Sequence, residues 1–227
     1  MVFVYQGLQA PRQYLGFVVL GGVMMSFWQN VLWSMAAQFS WERDNGTLEI
    51  YTMSPTSFVP ILLGMALGAM VTTSLRAAVV VSTGSILFGV TYHISGLLPA
   101  LGVFVLTLAA LYCLGMLLAS LFLFYGREAW HLTNGLQEPV YFLSGFYFPV
   151  RSLGAYVGGA ASLIPLTLGL DAIRQFLLPQ TPQFLPPQWE LLTLGALTLA
   201  YAFLAHRALL FLEARARQEG RLITRWT

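Results

Sequence analysis

Glu42, Arg43, Asp44 and Glu49 gather four of the chain's 20 acidic and basic residues into eight positions, Glu42-Arg43-Asp44-Asn45-Gly46-Thr47-Leu48-Glu49, with Ser54-Pro55 close behind. The chemistry available to such a segment is recognition. Its charges orient a partner, and Leu48 and Ile50 are small apolar anchors. Four further charges lie within or between apolar blocks: Arg76, Glu138, Asp171 and Arg174. Arg76 falls in the middle of such a block, where an arginine costs about 2.5–3.5 kcal/mol in lipid. It must therefore face the bundle interior, a polar cavity or a partner chain. There it either contacts an anionic substrate or is satisfied by Ser, Thr and backbone carbonyls, the simpler reading. Glu138, beside Pro139, pairs with an arginine or lines a polar gap. Asp171 and Arg174 are spaced i,i+3 and can pair on one helix face.

The remaining chemistry-bearing residues point away from catalysis. All 11 basic residues are arginine, so the lysine-dependent Gly-x-x-x-x-Gly-Lys phosphate loop is excluded. His93, His131 and His206 lie near different span ends without ligand spacing, and Cys113 is the single cysteine. No catalytic, cofactor or metal site is expected in this chain. The arginines are dispersed and the net charge is only +2, which gives nucleic acid no basic stripe to bind.

The elements that position these groups are helices in lipid. The chain is 57% hydrophobic and 9% charged, with a mean hydropathy of +0.71, whereas soluble domains carry about 25% charged residues. Continuous apolar runs, rather than short alternating ones, predict an all-α polytopic bundle and not a β-barrel. Five spans are expected in one domain over 1–227: 14–39, 61–92, 97–125, 132–149 and 191–212. The second is longer than lipid requires, so it tilts or extends into water. The segment 42–57 must lie in water at one membrane face. The stretch 152–187 carries apolar pieces too short to span, broken by Gly158-Gly159, Pro165, Pro179, Pro182 and Pro186-Pro187. It predicts helices that lie at, or dip into, the opposite face, as an external re-entrant helical hairpin does.

Orientation follows from arginine bias. Seven arginines fall on the face of the charged segment and the C-terminal tail, against three on the other. The positive-inside rule places the seven-arginine face in the cytoplasm. The expectation is a multi-pass protein of the inner (plasma) membrane, with its C-terminus cytoplasmic and 152–187 external.

Three motifs in this order resemble the membrane subunits of type 2 ABC exporters. Ser40-Trp41-Glu42-Arg43-Asp44-Asn45-Gly46-Thr47-Leu48-Glu49 with Ser54-Pro55 is similar to the family's Glu-Arg-x-x-Gly-Thr-x-Glu segment and its downstream Ser-Pro. Leu143-Ser144-Gly145-Phe146-Tyr147-Phe148-Pro149 resembles its Ser-Gly-x-x-aromatic-Pro. Pro165-Leu166-Thr167 with Asp171-Ala172-Ile173-Arg174 resembles its Pro-Leu-Thr and Asp-x-x-Arg. The resemblance covers about residues 14 to 215. It implies that 42–48 is the coupling segment for a separate cytoplasmic ABC ATPase, which would bind the ATP and Mg. It implies a second permease, identical or paralogous, and export of a drug, lipid, glycan or other amphiphile. It also implies six spans, and the chain opens just upstream of what resembles the second, so the expectation is either an earlier span outside it, the preferred reading, or a five-span variant. Gly145, Phe146, Phe148 and Pro149, together with Arg76 and Glu138, become candidates for the substrate path or gate. An interfacial aromatic belt also explains the aromatic residues. An ATP-independent channel or carrier is the alternative, but internal repeats and paired broken helices are not evident.

Overall fold

The computed structural model describes residues 7, 12–36, 41–42, 45–47, 50, 58–125, 129–178 and 183–218. Seven α-helices are found among them, with no strand: α1 (Arg12–Asn30), α2 (Phe58–Phe88), α3 (Leu97–Tyr125), α4 (Ala129–Leu143), α5 (Gly154–Ala161), α6 (Pro165–Leu177) and α7 (Pro187–Gln218). A π-helical turn, Val31–Ala36, prolongs α1. The all-α bundle expected from composition is what the chain forms.

Among the described residues, four helices are long and apolar enough to cross a membrane: Tyr14–Trp33, Val59–Phe88, Ile94–Phe122 and Pro187–Leu212. Each corresponds to one expected span. The other, expected over 132–149, ends at Leu143 and has only 15 residues. At 1.5 Å per residue it is about 22 Å long, less than a hydrocarbon core of about 30 Å. It stops because Ser144 to Pro149 turn sharply, with Gly145 at φ +70°. That left-handed conformation favours glycine, and a Cβ there would meet Val150 Cγ2 at 2.6 Å.

α1 is the central helix, 72% buried over its span, whereas the α2 span is only 11% buried. Phe17, Phe27 and Trp28 of α1 reach a core shared with Phe122 of α3 and Phe146 of the turn. α3 packs along α7 and α6. α2 leaves Leu67, Val71, Leu75 and Ile86 exposed, and α7 does the same with Leu199 and Phe211; such faces suit lipid or a second protein.

The stretch 152–187 contains short helices, and its main piece is not superficial. Twelve of the 13 residues of α6 are buried. The helix starts with Pro165 at its first turn, where a missing N–H costs nothing, and stops at Leu178, whose extended φ of −133° suits a residue preceding proline. His93 N–H donates to Leu177 O at 3.0 Å, which fastens α6 to the α2–α3 connection.

Candidate functional site: a groove between two spans

The charged segment contains a closed turn. Asn45 N–H donates to Trp41 O at 3.0 Å and Thr47 N–H to Glu42 O at 2.9 Å. The Thr47 hydroxyl also donates to the Glu42 carboxylate. Gly46 has φ +76°, which this reversal requires. Glu42, Gly46 and Thr47 of the sequence motif are therefore the residues that shape the turn. Trp41 and Ile50 flank it, 45% and 67% exposed. Arg43, Asp44 and Leu48 lie outside the described residues.

Arg174 anchors the opposite end of the bundle. It is 1% exposed. Its guanidinium donates to Gly145 O at 2.6 Å, Phe146 O at 3.0 Å and Phe17 O at 2.8 Å. It also lies 3.2 Å from the centroid of the Phe17 ring. Arg174 thus ties α6 to α1 and to the 144–149 turn. Where the anchor passes, α1 carries Gly21: a Cβ at that position would stand 2.0 Å from Phe146 O.

Asp171 does not pair with Arg174. Its Oδ2 accepts from Gln175 Nε2 at 3.2 Å and from Phe184 N–H at 3.0 Å. Gln175 Nε2 also donates to Glu190 Oε2 at 2.9 Å, linking α6 to the first turn of α7. On the helix the two members of the expected pair are directed to different neighbours, because three carbonyls converge on one and a backbone N–H on the other.

The aromatic turn is mostly structural. Phe146 is fully buried and makes edge contacts with Tyr141 and Tyr147 at 6.1 and 6.5 Å. Phe148 pairs with Phe142 at 6.3 Å, and Pro149 opens a short helical turn, Val150–Leu153. Glu138 is exposed on α4.

Arg76 faces a cavity of about 690 Å³ between α1 and α2. Ser26, Gln29, Asn30 and Thr73 line it with Arg76. Positions 26, 29 and 30 share one face of α1, with Trp33 of the π-helical turn beyond them, and 73, 76, 80, 83 and 87 share one face of α2. Val79 and Val80 also line a second cavity of about 580 Å³, so the two form one groove. This second stretch is apolar, with Val19, Gly22, Gly84 and Leu87, and reaches Tyr147 of the aromatic turn. The polar stretch is held from behind. Gln29 Nε2 donates to Tyr141 Oη at 3.0 Å, Gln137 Nε2 to the same oxygen at 3.0 Å, and Tyr112 Oη to Asn30 Oδ1 at 3.4 Å. Tyr147 Oη donates to Met25 Sδ at 3.3 Å.

Of the six residues proposed from sequence for a path or gate, only Arg76 lines this groove; Gly145, Phe146 and Pro149 build the turn beside it. Ser26, Gln29, Asn30 and Thr73 escaped notice, whereas Tyr147 belongs to the aromatic motif already identified from sequence. A signal for the four was present: polar side chains at helical spacing inside apolar spans, which by default mark function in a membrane.

The ABC-2 type transporter model matches residues 1–178 of the chain. No curated protein matches it. The matched stretch holds the charged turn, the α1–α2 groove and the Arg174 anchor, and the chain belongs to the ABC-2 type transporter family as a multi-pass membrane permease.

Proposed function

We propose that this chain is the membrane-spanning subunit of an ATP-driven exporter. Two permeases, identical or paralogous, work with two copies of a cytoplasmic ABC ATPase, and an amphiphilic drug, lipid or glycan leaves the cell along the α1–α2 groove. The observation that carries this reading is the groove itself, polar at mid-depth and apolar from there to the 144–149 turn. A path of that composition suits a molecule with one polar end. Family members normally work with an ATPase partner, and a chain without lysine has no phosphate loop. ATP and Mg therefore belong to that partner.

The turn at 42–47 is the coupling element of this reading. It is a preshaped polar knuckle flanked by exposed Trp41 and Ile50, and preorganisation lowers the ordering cost of docking. Closure of the ATPases pushes on the turn and re-packs the helices behind it. Charge reversal at both Glu42 and Arg43 should abolish co-purification of the ATPase and ATP-dependent transport, with insertion in the membrane retained. If both survive the double reversal, the coupling role is lost. Transport that persists after the ATPase's own phosphate-loop lysine is removed would instead mark an ATP-independent carrier.

A further inference from the structure

Arg76 stands 12 residues before the end of α2 at Phe88 and 18 after its start at Phe58, so it sits at mid-depth of the membrane. A charge at this depth persists where something polar or anionic meets it. Among the described residues, none donates to, accepts from or ion-pairs with Arg76, and the cavity it lines contains no carboxylate. The neighbouring polar groups, Ser26, Gln29, Asn30 and Thr73, are neutral. The internal partners of Gln29 and Asn30 hold them in place without compensating the charge.

We propose that the α1–α2 groove is a binding site for an amphiphile with an anionic head, carboxylate, phosphate or sulfonate, whose head meets Arg76 and whose apolar body lies along the lane towards Tyr147. This deepens the export reading above and rests on it for the passage of the ligand outward, but binding can be tested without transport. Two features make the fit chemical. A guanidinium forks onto two oxygens of one anionic group, where an alcohol or an amine cannot match it. The lane beyond Val79 and Val80 is apolar and has room at Gly22, where an added Cβ would meet nothing within 4 Å. The head site and the tail lane therefore meet on one face of two adjacent helices. The anion has two possible sources, a resident anionic phospholipid of the bilayer or the transported molecule.

The test uses the full chain, purified and reconstituted in phosphatidylcholine vesicles. The probes are a long-chain diazirine carboxylate, the matching alcohol and the matching amine, with adducts mapped by mass spectrometry. The carboxylate should label the α1 and α2 faces about tenfold more than the other two, the scale of one charge-assisted pair. Arg76→Gln should erase that preference, and Arg76→Lys should keep part of it. Gly22→Leu, which fills open space, should lower labelling by all three probes while Arg76 stays in place. Adding phosphatidylglycerol separates the sources: competition assigns the site to a resident lipid, and its absence assigns it to a transported amphiphile. Equal labelling by the three probes, or a preference unchanged in Arg76→Gln, overturns the proposal. Because no ATPase is present, labelling as expected alongside failed ATP-dependent transport would discard the export reading and keep the site.

Discussion

Arg174 and Phe146 show how far a residue's role depends on its neighbours. Both sit in motifs that suggested an external pair and a gate, yet both are buried and tie α6 to α1 and to the turn. Their removal should be felt as stability. Arg174→Lys replaces a planar fork, whose two terminal nitrogens reach the three carbonyls, with a single ammonium nitrogen that does not reproduce that geometry. The loss of a charge-assisted bond is worth about 1.5–3 kcal/mol. Phe146→Ala should cost about 3–5 kcal/mol through the cavity it opens. Thermal unfolding of the purified chain in detergent checks both. A Phe146→Ala protein with unchanged midpoint but altered export would restore the gate reading. In sequence, these residues were visible as a motif but not as an anchor, because a carbonyl cluster is made by backbone from three distant segments.

At the scale of elements, the long spans were legible and the short ones were not. A continuous apolar run of spanning length has few alternatives to a membrane helix. α4 and the 152–187 stretch are different, since their ends are set by turns. The sequence 132–149 is apolar enough to continue, but Gly145 at φ +70° ends the helix at Leu143. The same reasoning applies to the charged turn. Gly46 at φ +76° holds the reversal that brings Thr47 back to Glu42. Gly46→Ala should cost more than about 1 kcal/mol locally, since alanine resists that conformation. As the turn contributes no residue to the hydrophobic core, the expected readout is weaker ATPase association and lower coupled ATP hydrolysis, with the unfolding midpoint of the bundle unmoved. Full association in Gly46→Ala would mean that the shape of the turn is irrelevant to docking.

At the scale of the whole molecule, the bundle has two unlike ends. The charged turn follows the C-terminal end of α1, whereas α6 meets the other end, where Arg174 holds Phe17 O near the start of α1 and Leu177 O accepts from His93 in the α2–α3 connection. The arginine bias gives the expectation that the charged turn is cytoplasmic, and labelling tests it. In a Cys113→Ser background, Asn45→Cys should react with a membrane-impermeant maleimide only after cells are permeabilised. Tyr156→Cys, at a residue 96% exposed on α5, should react in intact cells. The reverse pattern would put the charged turn beyond an ATPase's reach. Composition and apolar run length alone determined that the chain is a helical membrane bundle, because transferring that much apolar surface into lipid admits no other class. The motif order marked the family. Tertiary structure alone decided that α6 is buried, that Asp171 and Arg174 part company, and that Arg76 opens onto a groove shared by α1 and α2. These depend on the rotation of each helix about its axis, which is set by packing against neighbours distant in sequence and leaves no local trace.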